Sequence, residues 1–251
     1  MTWVLGSSTM FGYGVVMSDV CVTCGDTGIT MDVLQKAFPM GPFMVAGLAG
    51  EVGVGLTLLR SMQLFLLRLK PEPGECYDPE WVAENWSKEA KQIYSDISHD
   101  MPVGDVHIIT VGLKVKEGVL GGAIPCVTIY KSPEFSPETV TGGNRSLSIG
   151  SGACVDIYRN SLEHMLKDKD LVYMKGEIGS IGGFGRLVWQ MIQRDIKNNP
   201  IEGISDQMQL FLIRLGRIEE WRSPNMPELA TNWPELLNKI DKRMNTQALT
   251  T

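Results

Sequence analysis

Histidine, basic clusters and paired cysteine spacings are all scarce in this sequence, and each shortage closes off a class of chemistry. There are three histidines in 251 residues, His99, His107 and His164, and none lies at ligand spacing to a cysteine pair. The five cysteines, Cys21, Cys24, Cys76, Cys126 and Cys154, are odd in number and scattered, which excludes a disulfide framework. Cys21-Val-Thr-Cys24 has the spacing of a zinc or redox pair, but it ends a strand-like run instead of opening a helix. It therefore reads as ordinary strand cysteine. Lys and Arg number 23 against 29 Asp and Glu, for a net charge of −6 and no basic block. That balance offers nothing to nucleic acid. No long uninterrupted apolar run is present: residues 56–69 are broken by Arg60, Gln63 and Arg68, too short and too charged to span a bilayer. A secretory signal would open on basic residues, whereas the first cation here is Lys36, so the expected location is cytoplasmic, with no membrane partner.

What the chain does have is length for one sizeable core and an ordered series of elements. Strand-like runs cover 3–8 and 13–23, and a second hairpin pairs 35–38 with 43–48. Apolar residues at Leu56, Leu59, Met62, Phe65, Leu66 and Leu69 fall on one helix face. A second helix is expected over 79–97, capped by Asp78. Strands return at 107–114, 118–131 and 147–150, helices at 153–166 and 181–197, and a last hairpin at 208–215 and 217–221. Blocks of strands followed by blocks of helices predict an α+β fold with helix layers on antiparallel sheets. Residues 1–222 form the expected domain. Residues 223–251 form a C-terminal extension that begins as a linker and contains a short helix over 233–244, with Trp233, Leu236, Leu237 and Ile240 as apolar anchors suited to clasping a neighbouring subunit.

Thr2, directly behind Met1, carries the first chemical signal. Removal of one residue would give it a free α-amine beside its own hydroxyl, so that nucleophile and base share a residue. Asp19 closes Gly14-Val-Val-Met-Ser-Asp19, and Lys36 is one of two cations in the first 65 residues, the other being Arg60. A lone strand lysine is ordinarily an exposed edge residue; the alternative is a buried ammonium that tunes the amine while Asp19 keeps it charged. Gly50 marks a strand-to-helix junction, where a backbone N–H can hold an oxyanion. The glycine-rich run from Gly179 to Gly185 lacks the lysine of a phosphate loop and reads as a tight helix entry. His107 and His164 read as structural or exposed, and the tryptophans as core or subunit contacts.

In order and spacing, Thr2, Gly14-Val-Val-Met-Ser-Asp19, Lys36 and Gly47-Leu-Ala-Gly50 resemble proteasome β subunits and the related bacterial heat-shock protease. Gly150-Ser151-Gly152 stands where that family carries a Gly-Ser-Gly. The family's Asp-x-x-Ser-Gly-Gly is represented by Glu177-Ile-Gly-Ser180-Ile-Gly-Gly183, with Glu for Asp and one residue inserted. One extra residue also separates Thr2 from Asp19. The single residue ahead of Thr2 is more like the bacterial branch, and the tail is most like the betaproteobacterial proteasome-homologue group, the other bacterial candidate being the ancestral β-subunit group.

The resemblance, over residues 2–221, implies a four-layer αββα sandwich, the N-terminal nucleophile hydrolase fold, and a threonine peptidase in homo-oligomeric stacked rings. It implies Thr2, Asp19, Lys36, Gly50, Ser151, Glu177 and Ser180 as catalytic residues. Thr23 is implied to pair with substrate backbone, and Val22, Leu34 and Leu48 to line an apolar primary pocket. The expected partners are a peptide or unfolded-protein substrate and an unidentified ATPase or adaptor, with no metal and no cofactor. The alternatives are a catalytically silent ring or binding scaffold, motivated by Glu177, and a small-amide hydrolase of the same superfamily.

Overall fold

The computed structural model describes residues 2–9, 11–25, 28–69, 77–119, 122–154, 156–167 and 181–248. Among the described residues it is an α+β chain with five helices and three sheets whose ladders are antiparallel. Strands β1 (Trp3–Ser8), β2 (Gly14–Asp19), β10 (Arg145–Gly150), β11 (Met208–Arg214) and β12 (Arg217–Arg222) form one sheet in the order β10-β1-β2-β11-β12. The second sheet has the order β5-β6-β7-β8-β9, from β5 (Ala37–Gly41), β6 (Met44–Gly50), β7 (Val106–Val115), β8 (Ala123–Lys131) and β9 (Glu138–Thr141). A small sheet pairs β3 (Cys21–Thr23) with β4 (Thr30–Asp32).

β1 is buried along its whole length, because both of its faces are used. Trp3 and Leu5 join a cluster with Tyr158, Leu162, Val188 and Ile192 from helices α3 (Asp156–Lys167) and α4 (Ile181–Asn198). Val4 points the other way, into a cluster that draws Val16, Ile149 and Phe211 from the first sheet and Val45, Ile109 and Val127 from the second. This alternation places Thr2 at the end of a strand locked on both sides.

The second sheet's remaining face carries Ala46, Leu48 and Ile108 against Leu58, Met62 and Leu66 of α1 (Val52–Leu69) and Trp86 of α2 (Pro79–Asp100). By length and composition alone α1 is sufficient for a membrane span, beginning four residues before the apolar run seen in the sequence. In the fold it packs one face on the sheet and α2. Trp86 donates its indole N–H to Ser61 at 3.1 Å and meets Tyr130 edge-on at 5.0 Å, an aromatic contact worth about 0.5–1.5 kcal/mol beyond its burial. Asp78 accepts hydrogen bonds from the Glu80 and Trp81 N–H groups at 2.9 and 3.2 Å and so caps α2, as expected.

The differences from sequence expectation are local. The run 13–23 is not one strand: it breaks at Val20, whose carbonyl accepts the N–H groups of Val33 and Leu34, and it resumes in the small sheet. β4 and β9 have no apolar run to announce them. Residues 151–154 form a 3-10 turn ahead of α3. The tail helix α5 (Trp233–Ala248) begins as expected and runs four residues further.

Candidate active site

Asp19 ends β2 fully buried, and its carboxylate organises the site. Oδ1 accepts the Trp3 N–H at 2.7 Å and the Lys36 ammonium at 2.8 Å, while Oδ2 accepts the Cys21 N–H at 3.1 Å. Lys36 is 0% exposed, so the expectation of a buried ammonium describes it and the exposed-edge alternative does not. Burial pushes the Asp19 carboxyl up from its ordinary value, against the opposing pull of the Lys36 charge and of the three hydrogen bonds.

The Thr2–Trp3 peptide is held at both ends. Its N–H goes to Asp19, and its carbonyl accepts the Ser151 N–H at 2.7 Å. Thr2 itself is 4% exposed. The glycines on either side of Ser151 have separate causes. Gly150 has φ +84, and a Cβ there would lie 2.0 Å from the Thr2 carbonyl oxygen. A Cβ on Gly152 would lie 2.4 Å from the Trp3 ring. Glycine at both positions lets the chain come this close to Thr2 and Trp3.

Gly50 is exposed at the end of β6, with φ +94 and the Asp105 carbonyl where a Cβ would stand. That same carbonyl accepts the Glu51 N–H at 2.9 Å, which fixes the entry to α1. The junction offers backbone N–H groups at a helix N-terminus, where negative charge is favoured.

Of the expected substrate contacts, Thr23 ends β3 half-buried, one residue beyond Val22. Val22 and Leu34 share a cluster with Ala230 and Leu236 of the C-terminal segment. Leu48 belongs to the α1 cluster, packed against Gly55. Glu177 and Ser180 lie outside the described residues.

The structure adds groups that sequence reading did not single out. The N–H groups of Trp3 and Cys21 and the carbonyl of Asp105 are backbone functions with no residue-type signal. Ala230 stands apart in sequence from every motif, and Leu236, expected as an anchor for a neighbouring subunit, packs inside its own chain instead. Ser18 and Gln209, opposite each other on β2 and β11, are fully buried, with the Ser18 Oγ and the Gln209 Oε1 unpartnered.

Cys21 is buried in β3 and Cys24 follows it half-buried, both as free thiols. Among the described residues no group of three or more His, Cys, Asp or Glu side chains is arranged to hold a metal ion. A groove of about 620 Å3 runs along α1, with Phe38, Leu56, Arg60, Leu64 and Trp233 in its walls; none of Thr2, Asp19, Lys36 and Ser151 lines it. No family model matches this chain, and no curated protein matches it.

Proposed function

We propose that this chain is a threonine peptidase of the proteasome-like kind, with Thr2 as nucleophile once the bond before it has been cleaved. The observation that carries this reading is the clamp on the Thr2–Trp3 peptide, held at its N–H by the carboxylate that binds Lys36 and at its carbonyl by Ser151. A residue required only for a strand end needs no buried ion pair beside it, and such pairs are costly to bury.

The fold proposed is the four-layer αββα sandwich of N-terminal nucleophile hydrolases. Its support is the three large core clusters: α1 and α2 on one sheet, side chains of both sheets together, and α3 and α4 on the other sheet. Residues 1–222 would form this domain and 223–251 its extension.

In the mechanism, the Thr2 α-amine takes the Oγ proton, directly or through water, and Oγ attacks the peptide carbonyl carbon. The N–H of Gly50, at the entry of α1, holds the developing oxyanion. The C–N bond breaks, the amine product leaves with the proton, and water hydrolyses the ester on Thr2 to restore the hydroxyl. Lys36 and Asp19 set the local charge, Ser151 fixes the nucleophile's backbone, and Thr23 pairs with extended substrate backbone. Glu177 and Ser180 remain part of the proposal by sequence position alone.

Homo-oligomeric stacked rings in the cytoplasm, fed with unfolded substrate by an ATPase or adaptor, complete the proposal. The exposed apolar side chains of Leu64, Leu67, Trp233 and Leu237 supply surface for subunit contacts.

The test is intact-mass measurement after incubation with a peptide epoxyketone. A chain whose first residue is Thr2 should gain one adduct, and Thr2→Ala should gain none. A chain beginning at Thr2 that takes no adduct, with hydrolysis unchanged in Thr2→Ala, would refute the peptidase reading and favour the silent scaffold. An adduct accompanied by turnover of small amides but not of peptides would favour the amide hydrolase.

A further inference from the structure

The segments bearing Asp19, Lys36 and Gly50 each lead to an apolar side chain within three residues: Val22, Leu34 and Val52. These three meet in one cluster. The first two segments are tied together where Val33 and Leu34 both donate to the Val20 carbonyl at 3.1 Å. The side chains they surround come from the C-terminal extension: Ala230 is 0% exposed and Leu236 is 1% exposed, with Ile240 at the margin.

The extension is held there by specific bonds. The Ala230 N–H donates to the Val33 carbonyl at 2.6 Å, and its own carbonyl accepts the Gln35 N–H at 3.0 Å, in a parallel bridge beside Leu34. Three residues on, α5 opens with reciprocal capping. Asn232 Oδ1 accepts the Glu235 N–H at 3.0 Å, and the Glu235 carboxylate accepts the Thr231 N–H at 2.8 Å. A capped helix start fixes the direction of the next side chain, Leu236.

Resting on the reading of Thr2 as nucleophile, we infer that Ala230 and Leu236 form the wall of the pocket that receives the substrate side chain immediately before the scissile bond. They set its size. Val22 and Leu34 are two of the three walls that the resemblance implies for that pocket, the third, Leu48, packing under α1 instead, and Leu236 already occupies the space against them. The cluster is closed, so a substrate side chain enters only by sharing the space that Leu236 fills, and a leucine demands more displacement than an alanine. This makes the C-terminal extension a specificity element of its own active site, and it uses Leu236 inside the subunit. The anchors left for a neighbouring copy are Trp233 and Leu237, each 41% exposed.

The experiment compares two peptide epoxyketones that differ only at the residue adjoining the epoxide, alanine or leucine, by the rate at which each modifies Thr2 in the full chain. The native protein is expected to favour the alanine probe by about tenfold or more, the discrimination that a few methylenes provide in an apolar pocket. Leu236→Ala should raise the leucine-to-alanine rate ratio by about tenfold. Leu236→Val, which removes one methylene and keeps the helix packed, should raise it several-fold, so the question stays answerable if the larger truncation unfolds. Adducts at Thr2 with an unchanged ratio in both variants would overturn the pocket assignment alone. No adduct with either probe in any variant would overturn the nucleophile reading, and this inference with it.

Discussion

Lys36 Nζ and Asp19 Oδ1 stand 2.8 Å apart with both side chains at 0% exposure, an ion pair sealed from solvent at the meeting of β2 with the segment before β5. A buried pair is expensive to break from one side, because the survivor is left charged and unpartnered. Asp19→Asn and Lys36→Met should each lower unfolding free energy by about 3–5 kcal/mol. The double variant should cost less than the sum of the two. Urea unfolding of all four proteins closes the cycle, and additive single effects would show that the pair is not coupled.

Gly150 and Gly118 both sit at positive φ, +84 and +76, but only Gly150 has a neighbour in the way: a Cβ would lie 2.0 Å from the Thr2 carbonyl, whereas nothing lies within 4 Å of one at Gly118. Gly118→Ala should therefore cost about 1 kcal/mol, the price of a left-handed backbone alone, and leave Thr2 reactivity intact. Gly150→Ala should cost more and should also slow Thr2 modification by at least about tenfold, because the carbonyl held by Ser151 must move. Thermal unfolding with epoxyketone labelling of both variants checks this. Equal behaviour of the two would mean that the contact with Thr2 is unimportant.

The residues legible from sequence were those whose type is itself the signal: a lone lysine in an apolar run, an aspartate at a strand end, and a Gly-Ser-Gly. Their meeting was legible only through the family resemblance that their order and spacing carry. Lys36 shows why the inference had force, since the same residue on a sheet edge would have been solvated. Asp78 was readable because a cap is local; the α1 face was readable in part, since Leu59, Met62 and Leu66 are buried as expected while Leu58 joins them and Leu69 stands exposed. The break at Val20 was not, because the carbonyl that interrupts the strand bonds to Val33 and Leu34, and that pairing is decided by tertiary position. Ala230 carries no signal at all: an alanine in a linker is buried beside Leu34 only because Val33 and Gln35 present backbone to it. β9 was missed for a related reason, since Glu-Thr-Val-Thr is mostly exposed and has little apolar alternation.

The thiols should divide by burial. Cys21 is pushed up to about 11 by burial and then by the Asp19 charge, and Cys126 to about 11 chiefly by burial. At pH 8 a thiol of that pKa is thiolate in about one molecule in a thousand, and the thiolate is the reactive form. Cys154, exposed beside Ser151, should take iodoacetamide within minutes, while Cys21 and Cys126 stay unmodified until denaturant is added. Peptide mapping after timed alkylation measures this directly. Early modification of Cys21 would show that the strand between Asp19 and Thr23 opens in the native state.

A threonine that supplies its own base ties its reactivity to the charge of its amine, and the sign follows directly. The protonated amine cannot accept the Oγ proton, so the rate of Thr2 acylation should climb as pH rises through the amine's pKa and then level off. With an ordinary α-amino pKa of about 7.7–8.0, roughly a tenth of the sites are competent at pH 7. Thr2→Ser keeps both the backbone amine and a hydroxyl, so its rising limb should fall at the same pH even if its rate differs. A chain with its amine blocked by a preceding residue should show no limb because it does not react at all. Acylation by a β-lactone, which Oγ opens to an ester while the amine stays free, followed from pH 5.5 to 9 on these three forms separates the possibilities. A limb that shifts with Thr2→Ser, or that persists in the blocked chain, would assign the base to a group other than the Thr2 amine.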